Sequence, residues 1–108
     1  MALKTTSKST MGAAVNVAAR IERELLEAEI WLKRGDLVKV KEKLKFVIKA
    51  LVVFVNDEKE DLLESDKIAI QVLRDQVIEL LDKLSTKKTG DLLTELSSLK
   101  RLAKKVFG

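Results

Sequence analysis

Residues 46–55 read FVIKALVVFV, nine apolar residues in ten, interrupted only by Lys49. A core-facing helix needs apolar side chains at roughly three positions in seven, so this run carries about twice the necessary grease. Valine and phenylalanine also favour strands. A single strand, however, would leave its backbone groups unpaired, and nothing else in the chain offers it a partner. The residues leading into the run decide the matter. Leu37, Val40, Leu44, Val47, Leu51 and Phe54 step in alternating threes and fours, the spacing of one helix face. Between them Lys39, Lys41, Lys43 and Lys45 fill the solvent positions in the first half. In the second half Ile48, Val52, Val53 and Val55 add further apolar surface, which a single buried stripe does not use.

Upstream, Gly35 and Asp36 form a stop and a start. Gly35 suits the left-handed C-terminal cap of one helix, Lys33 and Arg34 suit its negative dipole end, and Asp36 suits the N-cap of the next. The first helix carries the stripe Ala14, Ala18, Ile21, Leu25, Ala28, Leu32, whose three alanines allow close approach. With so short a connection the two helices pack as an antiparallel hairpin. Downstream, DEKEDLLESD at 57–66 holds six acids and reads as a connection, with Ser65 or Asp66 capping a third helix. That helix carries Ile70, Leu73, Val77, Leu80 and Leu84; STKKTG at 85–90 is a loop by composition. A fourth follows with Leu92, Leu96, Leu99, Ala103 and Val106.

The expected fold is therefore all-α, an antiparallel four-helix bundle, with three helices plus a C-terminal helical segment as the variant. A short disordered basic arm is expected over residues 1–9, and a single helical domain over 10–108. Its helices are placed at about 10–34, 36–56, 66–84 and 91–107. The chain's 108 residues suit one domain, and 46% hydrophobic content separates it from a disordered polar chain.

Composition excludes several chemistries. There is no Cys and no His, so neither a disulfide framework nor thiolate nucleophile is available, and the commonest general base is missing. Zinc and di-iron bundle sites lack their usual ligands. The acidic connection fails calcium-loop spacing, with Leu62 where the loop needs glycine and Ile68 where it needs glutamate. No enzyme activity, cofactor, metal or small-molecule substrate is expected. No segment offers ~20 uninterrupted apolar residues, so a membrane partner is not expected, and a cytoplasmic location is. The abundance of Lys and Glu beside only two Asn and two Gln resembles heat-adapted proteins.

Two readings of function remain. In the first, the chain is a non-enzymatic helical interaction module, a small accessory or adaptor protein. It self-associates as a homo-oligomer or docks on a larger protein through Trp31, Ile48, Val52 and Val55, since exposed apolar patches mark interfaces. The alternative starts from charge, which is acidic over 57–84 and basic on both flanks. It makes the chain a sequence-independent nucleic-acid-binding accessory protein contacting DNA or RNA backbone through Lys87, Lys88, Lys100, Arg101, Lys104 and Lys105.

Two local resemblances accompany these readings. The stretch AEIWLKRGDLVKVKEKLKFVIKAL at 28–51 resembles the hairpin of small helical HEPN-type proteins; the ribonuclease members depend on an Arg-to-His motif, so without His that activity is not implied. The ending SLKRLAKKVFG resembles the clamp-binding tails of replication proteins, with Ala103, Val106 and Phe107 in the anchoring places but without the usual Gln and second aromatic.

Overall fold

The computed structural model describes residues 3–4 and 7–108. Four helices account for most of them: α1 Lys8–Lys33, α2 Leu37–Glu58, α3 Glu64–Lys83 and α4 Thr89–Phe107. Each helix packs on the next and α4 closes back on α1, while the backbones of the diagonal pairs stay more than 8 Å apart, Cα to Cα. The result is an antiparallel four-helix bundle with extents 41 × 20 × 19 Å. The fourth helix is thus a full member of the bundle.

The hairpin turn follows its residues closely. Gly35 has φ +79°, and its N–H donates to the Leu32 carbonyl while that of Asp36 donates to Trp31. Those two bonds make a Schellman cap. The Asp36 carboxylate then accepts from the Lys39 N–H at 3.1 Å, so one residue ends α1 and caps α2.

Helix spacing transfers directly into the core. Ile21, Leu25, Ala28 and Leu32 of α1 meet Val40, Leu44, Val47 and Leu51 of α2, all within 1% of complete burial. The stripes of α3 and α4 are buried as well, Ala103 at their edge. Leu37 departs from its expected place: it is 39% exposed, because it is the first residue of α2 at the end of the bundle, and the core begins at Val40.

The α2–α3 connection and the N-terminal segment are more structured than their composition suggests. Leu62 is buried. α3 starts at Glu64, two residues earlier than expected, with Leu63 as the N-cap residue rather than Ser65 or Asp66. Asp66, almost fully buried, accepts the Leu63 N–H at 3.2 Å and the Lys4 N–H at 2.7 Å. Within the segment expected as an arm, Leu3 joins the core cluster and α1 already begins at Lys8. Buried Thr10 donates to Glu58 at 2.8 Å. These contacts set Leu3, Lys4 and the start of α1 against the acidic connection; the rest of the expected arm, residues 1–2 and 5–6, lies outside the described residues.

Candidate interaction surfaces

The run 46–55 resolves into three parallel stripes, each stepping four then three. Val47, Leu51 and Phe54 point into the core and are buried. Ile48, Val52 and Val55 form the flank facing α3; Ile48 and Val55 pack against the core, and Val52 stays 36% exposed. Phe46, Ala50 and Val53 form the opposite flank, facing α1. Lys49 is exposed to water. One helix therefore spreads its surplus grease over both sides, and neither flank is fully covered.

The two flanks differ in character. Val52 and Val55 line a cleft of about 160 Å³ whose far wall carries Lys67, Gln71 and Arg74 of α3. The other flank opens into a groove of about 480 Å³. Ala13 and Val17 of α1 pack partly against the core beneath it, while Val53 on its other wall is 45% exposed. The Arg20 guanidinium stacks on the Phe46 ring, 4.8 Å from its centre, within the range of a cation–π contact. Asp57 and Glu58 close the opposite end.

The expected interface residues do not all meet. Trp31 stands at the hairpin turn, half-buried, with Arg34 and Lys39 within 5.3 and 6.0 Å of its ring centre. Val52 is thirteen residues beyond Lys39 along α2, or about 20 Å at 1.5 Å per residue. Ile48, Val52 and Val55 share one face, and Trp31 belongs to a separate place. Sequence reasoning named Val53 as extra apolar surface but assigned no site to the α1 flank; the step from Phe46 to Ala50 to Val53, matching that of the other two stripes, is the signal that would have found it.

The six basic candidates are divided too. Lys87 and Lys88 are exposed in the connection into α4, and Lys88 is its N-cap residue. Arg101, Lys104 and Lys105 are exposed near its other end, about 20 Å away by helix rise. Lys100 is bound to Glu29 of α1, a carboxylate shared with Lys33 at 3.2 Å. The Lys100 and Lys33 ammonium groups hold Glu29 below the usual carboxylate range. Folding also brings the acidic connection to the end of the bundle where α1 begins and α4 finishes. Lys104 and Lys105 therefore share that end with the six acids that stand apart from them in sequence. Ala103, Val106 and Phe107 are buried, and the Phe107 ring meets Phe54 edge-on at 5.8 Å. A clamp-binding tail must offer such anchors to its partner; here the bundle core holds them.

Two further charge clusters bind helices together. Lys43 reaches Glu24 at 3.3 Å and Glu27 at 2.7 Å across the α1–α2 hairpin; the hydrogen bond between Lys43 and Glu27 raises the lysine's pKa and lowers the glutamate's. Lys83 pairs with Glu95 at 2.8 Å across α3 and α4, which raises its pKa in turn. Among the described residues no group of three or more metal-ligating side chains converges, and no helix is long and apolar enough to cross a membrane.

Comparison with known protein families, with curated proteins and with solved structures gives no match to this chain.

Proposed function

We propose that this protein is a non-enzymatic helical interaction module, an accessory or adaptor that engages protein partners through the flanks of α2. The observation that carries the reading is the three-stripe arrangement of residues 46–55. A two-layer helical core uses the stripe through Leu51, whereas the flanking stripes leave Val52 and Val53 open to water. Exposed apolar groups grouped beside a groove mark sites of association more often than chance surface.

Nucleic-acid backbone binding is the weaker reading. Its six basic residues fall into two separated groups, one of the six is committed to Glu29, and the C-terminal group shares its end of the bundle with acids. A duplex binder needs several phosphate contacts on one face.

The reading is tested with a photo-crosslinking amino acid placed in turn at Val53, at Val52 and, as a control, at exposed Ser98, in the cells that make the protein. Discrete adducts from Val53 or Val52 and none from Ser98 are expected. Absence of adducts from both valines, or equal labelling from Ser98, would overturn it.

A further inference from the structure

Three charges around the α1–α2 groove have no ionic partner among the described residues: Arg20, which only stacks on Phe46, Lys49 and Asp57. Asp57 is the least expected of them. It stands in the last turn of α2, where no basic residue balances it and where the helix dipole disfavours an acid. The neighbouring Glu58 is occupied by Thr10.

Arg20 and Asp57 lie symmetrically about the middle of the groove, with Lys49 on the Arg20 side. The bond between Thr10 and Glu58, the stacking of Arg20 on Phe46 and the pairing of Glu24 with Lys43 set the antiparallel register of α1 on α2. In that register Asn16 lies level with the space between Ala50 and Val53. From this level, Phe46 with the Arg20 guanidinium is about 8 Å towards one end, and Asp57 about 8 Å towards the other, at 1.5 Å per residue.

From this symmetry we infer that the groove binds a second copy of the same chain, about a two-fold axis that lies in the interface and crosses α1 and α2 at Asn16. The inference rests on the interaction reading above and names its partner. A two-fold contact sets one patch against itself, so each residue meets the residue at the mirrored level. Val53 of one copy meets Ala50 of the other. Arg20, held at the level of Phe46, meets the partner copy's Asp57, and does so twice; Lys49, about 4 Å from the axis on the same side, adds positive charge within side-chain reach of that carboxylate. Asn16 meets Asn16, and an amide carries both a donor and an acceptor for such a pair; a polar residue at one such position sets register. The nearer ends of α1 and α2 lie about 10–12 Å from this axis at 1.5 Å per residue, so the two copies overlap over roughly 20–24 Å; across the 20 Å width of the bundle that is on the order of 450 Å² per copy, the size of a weak, reversible interface.

The test is sedimentation velocity across a concentration series, with helicity checked by circular dichroism, on the wild-type chain, on Arg20→Glu/Lys49→Glu, on Asp57→Lys, on an equimolar mixture of these two variants, and on Val53→Lys. All substituted residues are exposed, so the bundle should persist. The expected result is a wild-type dimer whose dissociation constant rises at least about tenfold in each charge variant. The mixture should then recover association, because each variant repels itself and attracts the other. A wild-type chain that stays monomeric to millimolar concentration would overturn self-pairing and leave the interaction reading to the crosslinks. A dimer lost in Val53→Lys but indifferent to the charge reversals would overturn this axis and keep the groove. A dimer indifferent to every variant would overturn the axis and remove the groove as its interface.

Discussion

Gly35 shows how one residue sets the joint of the bundle. At φ +79° it occupies the left-handed region, which costs an L-residue roughly 1–2 kcal/mol. A Cβ built there meets nothing within 4 Å, so the penalty is one of backbone conformation alone. Gly35→Ala should lower unfolding free energy in urea by about 1–2 kcal/mol, and Gly35→Asn by less, since Asn visits that region more readily. An equal loss for both would mean that something other than backbone conformation holds the turn. The spacing of Gly35 and Asp36 was enough to read this joint from the chain. The bond that Asp66 accepts from the N–H of Lys4 was not legible, because that donor lies 62 residues away in sequence.

At the scale of the helix, the three stripes of α2 have different energetic roles. Leu51 is fully buried, and Leu51→Ala should cost about 2–5 kcal/mol through lost transfer energy and the cavity left behind. Val53→Thr on the exposed flank should change monomer stability by no more than about 0.5 kcal/mol; a loss comparable to that of Leu51→Ala, measured by denaturation of the monomer, would make the flank part of the core. The ion pairs between helices give a pH signature with opposite signs. Glu29 has its pKa lowered from 4.5 by Lys100 first and Lys33 second. Its contribution is therefore fully present above that ordinary value and disappears as pH falls through the lowered one. Lys83 has its pKa raised from 10.5 by Glu95, so its contribution is present below 10.5 and disappears as pH rises through the raised value. Glu29→Gln should thus be destabilising at neutral pH, by roughly 0.2–1 kcal/mol for a solvent-screened pair, and should match the wild type in strong acid. Lys83→Met should show its deficit at neutral pH and lose it only in strong alkali. A Glu29→Gln deficit that persists unchanged in acid would assign it to packing.

At the scale of the whole molecule, the closed ring of four helices decides what the charges can do. Sequence places an acidic middle between two basic flanks, and the fold returns the acidic connection to the end shared by Lys104 and Lys105. Titration of a labelled DNA duplex at low salt should therefore show weak binding, and replacing Lys104 and Lys105 by alanine should change it little. Tight binding that falls steeply with salt and is lost in that variant would revive the nucleic-acid reading. The helical period, the Gly35–Asp36 joint and the apolar stripes follow from local spacing, and those features by themselves determined four helices, their order and nearly all of the core. The ends of the chain, the division of the basic residues and the open groove beside Phe46 and Val53 were decided only by tertiary structure. Each depends on which residue from a distant helix stands opposite, and antiparallel register sets that by packing across helices, beyond the reach of any periodicity within one of them.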